Sequence, residues 1–131
     1  MIVVDTSALI AVLRGEPEAF AFLRHIHQNG PTLIAAPTRL ESWLVCRRSR
    51  DDETEAKAME SLIDRAGLVT VPFDETLLVA AIDGFARFGR GHGRANLNFG
   101  DCFSYALAKS RGLPLLFKGE DFRATDIDAV A

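Results

Sequence analysis

Short β-branched and aliphatic runs alternate along this chain with stretches of helical periodicity. Ile2-Val3-Val4 stops at Asp5, and Thr6-Ser7 then offer hydroxyls where a helix carrying Leu9, Ile10 and Leu13 begins. Phe20, Leu23 and Ile26 recur at helical spacing over 16–29, and Asn29-Gly30-Pro31 closes that helix. Leu33-Ile34-Ala35 predicts a second strand, and Pro37 opens a helix that runs to about position 50. A further helix is predicted over 54–66, stopped by Gly67, and a third strand over 68–71. Positions 73–88 predict a helix with Leu77, Leu78, Ala81, Ile82 and Phe85 on one face, followed by a loop rich in glycine and arginine over 89–98. A helix over 99–111, ended by Gly112, leads to a fourth strand over 113–117, and a last strand is predicted near 127–130.

Strands that alternate with helices pair in parallel and need cover on both faces. The expected fold is therefore α/β, a three-layer α/β/α sandwich around a mostly parallel sheet of four to five strands. With 131 residues, neither repeat nor linker, a single domain over 1–131 is expected. No apolar run reaches the ~18 residues of a membrane span, and the apolar start breaks at Asp5 with no basic leader before it, so a cytoplasmic address and no membrane contact are expected. Cys46 and Cys102 belong to no paired motif, which predicts two buried thiols rather than a disulfide or a zinc site.

In open parallel sheets ligands bind beyond the carboxyl ends of the strands, near the point where strand order reverses. Asp5 and Asp121 sit at or just past such ends, although an acid there can serve simply as a turn former. Glu41 carries more information, because it projects between Leu44 and Val45 inside the apolar arc of its helix. An ionised carboxylate there needs a partner, and Arg48, two turns along, would make it an ordinary ion pair. Asp101 follows Asn98 by three residues, the spacing of a capped helix start where an acid is stabilised by free amides. Gathered in one cleft, four such acids repel one another unless cations occupy it. Oxygen-only ligands suit Mg²⁺ or Mn²⁺, and such ions activate water and orient a phosphodiester for hydrolysis.

These residues carry a resemblance. Val3-Val4-Asp5-Thr6-Ser7-Ala8-Leu9 looks like the first motif of the PIN-domain family, Leu40-Glu41 the second, the run from Gly100-Asp101-Cys102 to Ala108-Lys109 the third, and Lys118-Gly119-Glu120-Asp121-Phe122 the fourth. The chain thus resembles PIN-domain ribonucleases, in particular the VapC toxins of bacterial toxin–antitoxin pairs. The resemblance implies a PIN-like sandwich and an endoribonuclease dependent on Mg²⁺ or Mn²⁺ that cuts structured RNA, tRNA or rRNA, and so inhibits translation. It implies Asp5, Glu41, Asp101 and Asp121 as metal-binding catalytic acids, with Thr6 or Ser7 orienting a ligand. It also implies a homodimer and a cognate VapB-type antitoxin. Glu120 stands where many relatives have Asn, which leaves open whether Glu120 or Asp121 faces the metal.

The net charge of −3 looks wrong for an RNA-handling protein, but setting four site carboxylates aside gives −3 + 4 = +1. Arg87, Arg90, His92 and Arg94 crowd just before the helix of Asp101, with glycines between them, and predict a phosphate grip; a solvated loop or an antitoxin contact is the blander reading. Arg47, Arg48 and Arg50 form a second basic run. His25 and His27 point to different helix faces and are read as surface residues, while Trp43 and most of the nine phenylalanines are read as core. Two rivals remain from other classes. A receiver-like signalling domain would use Asp5, Asp74 and Lys118, though it leaves Glu41 unexplained; a catalytically silent PIN domain would bind only RNA or antitoxin.

Overall fold

The computed structural model describes residues 1–50, 53–91 and 95–130, with the side chains of 49 and 50 left aside. The chain runs β1 (Ile2–Val4), α1 (Thr6–Leu13), α2 (Ala19–Gln28), β2 (Thr32–Ala35), α3 (Ala36–Arg50), α4 (Glu53–Arg65), β3 (Val69–Val71), α5 (Glu75–Phe88), α6 (Phe99–Arg111) and β4 (Leu115–Leu116). The strands form a parallel sheet in the order β3-β2-β1-β4, with Val3 opposite Leu33 on one side and Leu115 on the other.

Because side chains alternate across a strand, β1 feeds two cores. Val3 joins Leu33, Ala35, Val71 and Leu115 under α5 and α6, where Leu77, Ala81, Tyr105 and Ala106 are buried. Ile2 and Val4 join Ile34 and Leu116 on the opposite face, against Leu9 of α1, Ile26 of α2, Cys46 of α3 and Met59 and Ile63 of α4. The helices of the first two crossovers thus cover one face and those of the third cover the other. This is what right-handed crossovers require when the chain first moves away from β1 and then returns to its far side. Strand order reverses beside the end of β1, which places the crevice of the fold at Asp5. The expected three-layer sandwich is observed, and both cysteines are buried free thiols. Among the described residues, no helix is long and apolar enough to cross a membrane.

Several boundaries differ from the expectation. The last strand reduces to one bridge, Leu115 with Ala129, because β4 itself spans only two residues. The helix expected from 16 begins at Ala19, and of its periodic apolar residues only Ile26 is buried; Phe20 is 76% and Leu23 41% exposed. Leu78, Ile82 and Phe85 of α5 are also exposed while Leu77 and Ala81 are buried, so the helix presents a wider apolar face than the sheet covers.

Candidate functional site

Asp5 is the first residue beyond β1 and the N-cap of α1, and it is almost wholly buried. Both of its oxygens are held. Oδ2 accepts from the Ser7 amide at 3.1 Å and the Ser7 hydroxyl at 2.7 Å, and Oδ1 accepts from the Ser104 hydroxyl at 2.5 Å. The Ser7 oxygen in turn accepts from the Lys118 amide at 3.0 Å, tying the end of β1 to the turn beyond β4.

Glu41 enters from α3, which follows β2 without a loop. Its Oε1 accepts from the Thr6 hydroxyl at 2.6 Å, so its partner is a neighbour of Asp5 and not Arg48. Ser42 and Thr38 complete a buried hydroxyl cluster, with Ser42 Oγ donating to the Thr38 carbonyl at 2.9 Å. The carboxylate lies directly against Gly100, where a Cβ would overlap it.

Asp101 stands in the first turn of α6. The Asn98 side chain accepts from the Asp101 amide at 2.9 Å while Asp101 Oδ2 accepts from the Asn98 amide at 3.0 Å, a reciprocal cap. The structural reading of Asp101 is therefore correct, and it does not exclude the other. Asp101 is 9% exposed, and its pKa is pushed up to about 7. Burial is the main cause; the bond from Asn98 opposes it, and the charges of Asp5 and Asp121 together with a side-chain contact to Asp121 add to it. Glu41 is raised as well, first by burial, with the Thr6 bond opposing and the charge of Asp5 adding. Electrostatically Asp5 is the hub, felt by both Glu41 and Asp101, while Asp121 acts on Asp101 from the opposite edge.

Asp121 is half-buried in the turn after β4, anchored by the buried ring of Phe122 against Phe117 at 5.1 Å. Glu120 points outward and pairs with Arg123 at 3.1 Å, leaving Asp121 as the acid turned toward Asp101. Among the described residues no trio of His, Cys, Asp or Glu stands close enough to enclose one ion directly.

Of the four basic residues expected to grip phosphate, two lie among the described residues. Arg87 bonds Asp83 at 3.3 Å and Asp126 at 3.4 Å and lies over the Phe88 ring at 4.7 Å. Arg90 is exposed, with its amide bonded to the Leu97 carbonyl at 3.0 Å. His92 and Arg94 lie outside the described residues. Arg90 borders an apolar groove of about 510 Å³ between α5 and the start of α6, walled by Leu78, Ile82, Phe85, Phe99 and Phe103. Phe99 is 79% exposed, so this part of the aromatic set is surface rather than core.

Asp74 and Lys118 do not assemble a receiver-like site. Asp74 caps α5 by accepting from the Leu77 amide at 3.1 Å, beyond the edge strand β3. Lys118 pairs with Glu16 at 2.7 Å and Glu18 at 3.2 Å. Sequence reasoning missed Gly100 and Ser104. The one available signal was their place on the Asp101 helix, one residue before that acid and one turn after it, in a segment unusually rich in small side chains.

Comparison with known proteins agrees with this geometry. The family model described as PIN domain matches residues 2–128. A protein of Mycolicibacterium smegmatis named Ribonuclease VapC is 42% identical over 128 residues, 98% of each chain. Ribonuclease VapC30 of Mycobacterium tuberculosis is 42% identical over 129 residues, again 98% of each. Among solved structures, VapC20 of Mycobacterium tuberculosis, a sarcin-ricin loop cleaving toxin, superposes with a TM-score of 0.79 at 20% identity, covering 99% of this chain and 98% of that one. A DNA-bound VapBC from Salmonella typhimurium gives a TM-score of 0.75 at 20% identity, covering 100% and 98%.

Proposed function

The chain belongs to the PIN-domain family and is a ribonuclease of the VapC kind, and from that premise we propose that it is the toxin of a toxin–antitoxin pair whose cleavage depends on Mg²⁺ or Mn²⁺ held by Asp5, Asp101 and Asp121, with Glu41 beside them. The observation that carries the metal is the gathering of carboxylates from four elements of the chain around Asp5, where burial first and then the charges of Asp5 and Asp121 push the Asp101 pKa up to about 7. An oxygen-only donor set of this kind fits a hard divalent cation that keeps much of its water, takes one or two of these carboxylates directly and meets the others through water. When bound, such a cation activates water and neutralises charge on the scissile phosphate.

The residues themselves divide the work. Asp5 is immobilised at both oxygens and serves as the fixed ligand. Asp101 would hold the ion in its deprotonated form, which would couple binding to pH. Glu41, steadied by Thr6, would accept a proton from attacking water, while Ser7 links Asp5 to the turn that carries Asp121. Glu120 takes no part. The substrate is proposed to be structured RNA of the translation machinery, tRNA or rRNA, by analogy with the sarcin-ricin loop that VapC20 cleaves, and a cytoplasmic location is proposed with it. Arg90 and Arg94 are the proposed phosphate contacts, with Arg87 held in its ion pairs. A VapB-type antitoxin is proposed as the inhibitor, as the VapBC assembly among the structural neighbours suggests. The apolar groove between α5 and α6 is proposed as the surface of a homodimer; light scattering should give twice the chain mass, and a monomer would remove that assignment.

The central test is cleavage of tRNA or rRNA fragments by the purified protein. Chelation should abolish it and Mg²⁺ or Mn²⁺ restore it, and Asp5→Asn or Asp101→Asn should each lower it by at least about 10³-fold without loss of fold. Full activity in excess chelator, or in both variants, would sink the mechanism.

A further inference from the structure

The geometry points to Ser104 as the positioning residue that aims Asp5 at the divalent cation, an inference that rests on the metal-dependent reading of the site. Ser104 lies one helical turn after Asp101 on α6, and residues three apart share a helix face, so one helix supplies both an acid and the support for another. It is completely buried, and its hydroxyl donates to Asp5 Oδ1 at 2.5 Å. The Thr38 hydroxyl, also fully buried, stands 3.4 Å from Ser104 Oγ and gives it a second partner that fixes its rotamer.

The consequence follows from counting lone pairs. A carboxylate offers about four acceptor sites, two on each oxygen. Ser7 fills two of them on Oδ2 through its amide and hydroxyl, and Ser104 fills one on Oδ1. The remaining site is therefore on Oδ1, and the Ser104 hydroxyl sets the direction in which it opens. With Ser7 alone the carboxylate is held at Oδ2 only and its plane can rock about that anchor, whereas the bond from Ser104 to Oδ1 fixes the plane at both ends.

The test measures Mn²⁺ binding by calorimetry without RNA, beside cleavage as a function of Mg²⁺. Supporting partners of metal ligands typically matter by about 10- to 100-fold in affinity or activity. Ser104→Ala should remain folded by circular dichroism, bind Mn²⁺ about 10- to 100-fold more weakly, and regain cleavage as Mg²⁺ is raised. Ser7→Ala should lose less, because its amide still holds Oδ2. Ser104→Thr, which keeps the hydroxyl, should recover most of the affinity. Unchanged Mn²⁺ affinity in Ser104→Ala, an unfolded Ser104→Ala, or a loss that Ser104→Thr does not repair would assign Ser104 to structure and overturn the proposal. If the wild type itself binds no Mn²⁺ and cleaves RNA in chelator, the metal reading falls first and this inference with it.

Discussion

Gly100 contributes no side chain, yet the position of Glu41 depends on it. The Glu41 carboxylate occupies the space a Cβ would need, held there by Thr6. Gly100→Ala should push Glu41 aside and lower cleavage by about 10²-fold, the scale of a misplacement near 1 Å. Alanine is the better helix former by about 0.5–1 kcal/mol, which offsets the crowding, so the thermal midpoint should move little while turnover falls. A parallel loss of stability and activity would show that the clash is absorbed by the helix rather than by Glu41. At this scale the acids were legible, because an acid after a β-branched run, or inside an apolar arc, declares itself locally. Their partners were not. Ser104 meets Asp5 across 99 positions, and Thr6 meets Glu41 across 35, so no window of sequence contains either pair.

Of all the elements, α6 does most to organise the site. Its first turn carries Asp101 in the reciprocal cap, its next turn Ser104, and its far side Tyr105 and Lys109, both bound to Asp126 of the C-terminal segment at 2.8 and 2.7 Å. Arg87 of α5 joins the same carboxylate, so Asp126 fastens α5, α6 and the closing segment together. Asp126→Ala leaves the buried Tyr105 hydroxyl without its acceptor and should destabilise the fold by about 1–3 kcal/mol in chemical denaturation, while Mn²⁺ affinity stays at the wild-type value. A changed metal affinity would mean that this fastening reaches the site. Helix ends and the first three strands could be read from caps and breakers such as Asn98, Gly112 and Gly67. The closing strand could not, since β4 is too short to pair with more than one residue of it. Nor could the exposure of Leu78, Ile82 and Phe85, because periodicity marks an apolar face without saying whether this chain or another molecule covers it.

For the whole molecule, the raised acids make stability depend on pH in a definite sense. Asp101 titrates near 7 when folded against about 3.9 when unfolded, and Glu41 is shifted the same way. The folded state thus binds these protons more tightly. The Asp101 contribution is complete below about pH 4 and is lost as pH rises through 7, and Glu41 adds to it in the same sense. Between these limits the Asp101 share of stability should fall in metal-free protein, and Asp101→Asn combined with Glu41→Gln should flatten the profile; Mg²⁺ should stabilise the wild type increasingly as pH rises. A metal-free profile identical in the wild type and the double variant would refute the assignment. RNA binding should show its own signature: replacing Arg90 and Arg94 by Ala should reduce the log–log salt slope by roughly one unit per lost phosphate contact. The return of the chain to β1 has a consequence for its making. Asp5 is made 99 positions before Ser104, and the turn that carries Asp121 is tied to Ser7 only when β4 docks beside β1. A chain still short of β4 lacks the turn that ties to Ser7 and holds Asp121, so the site is assembled only when the sheet closes.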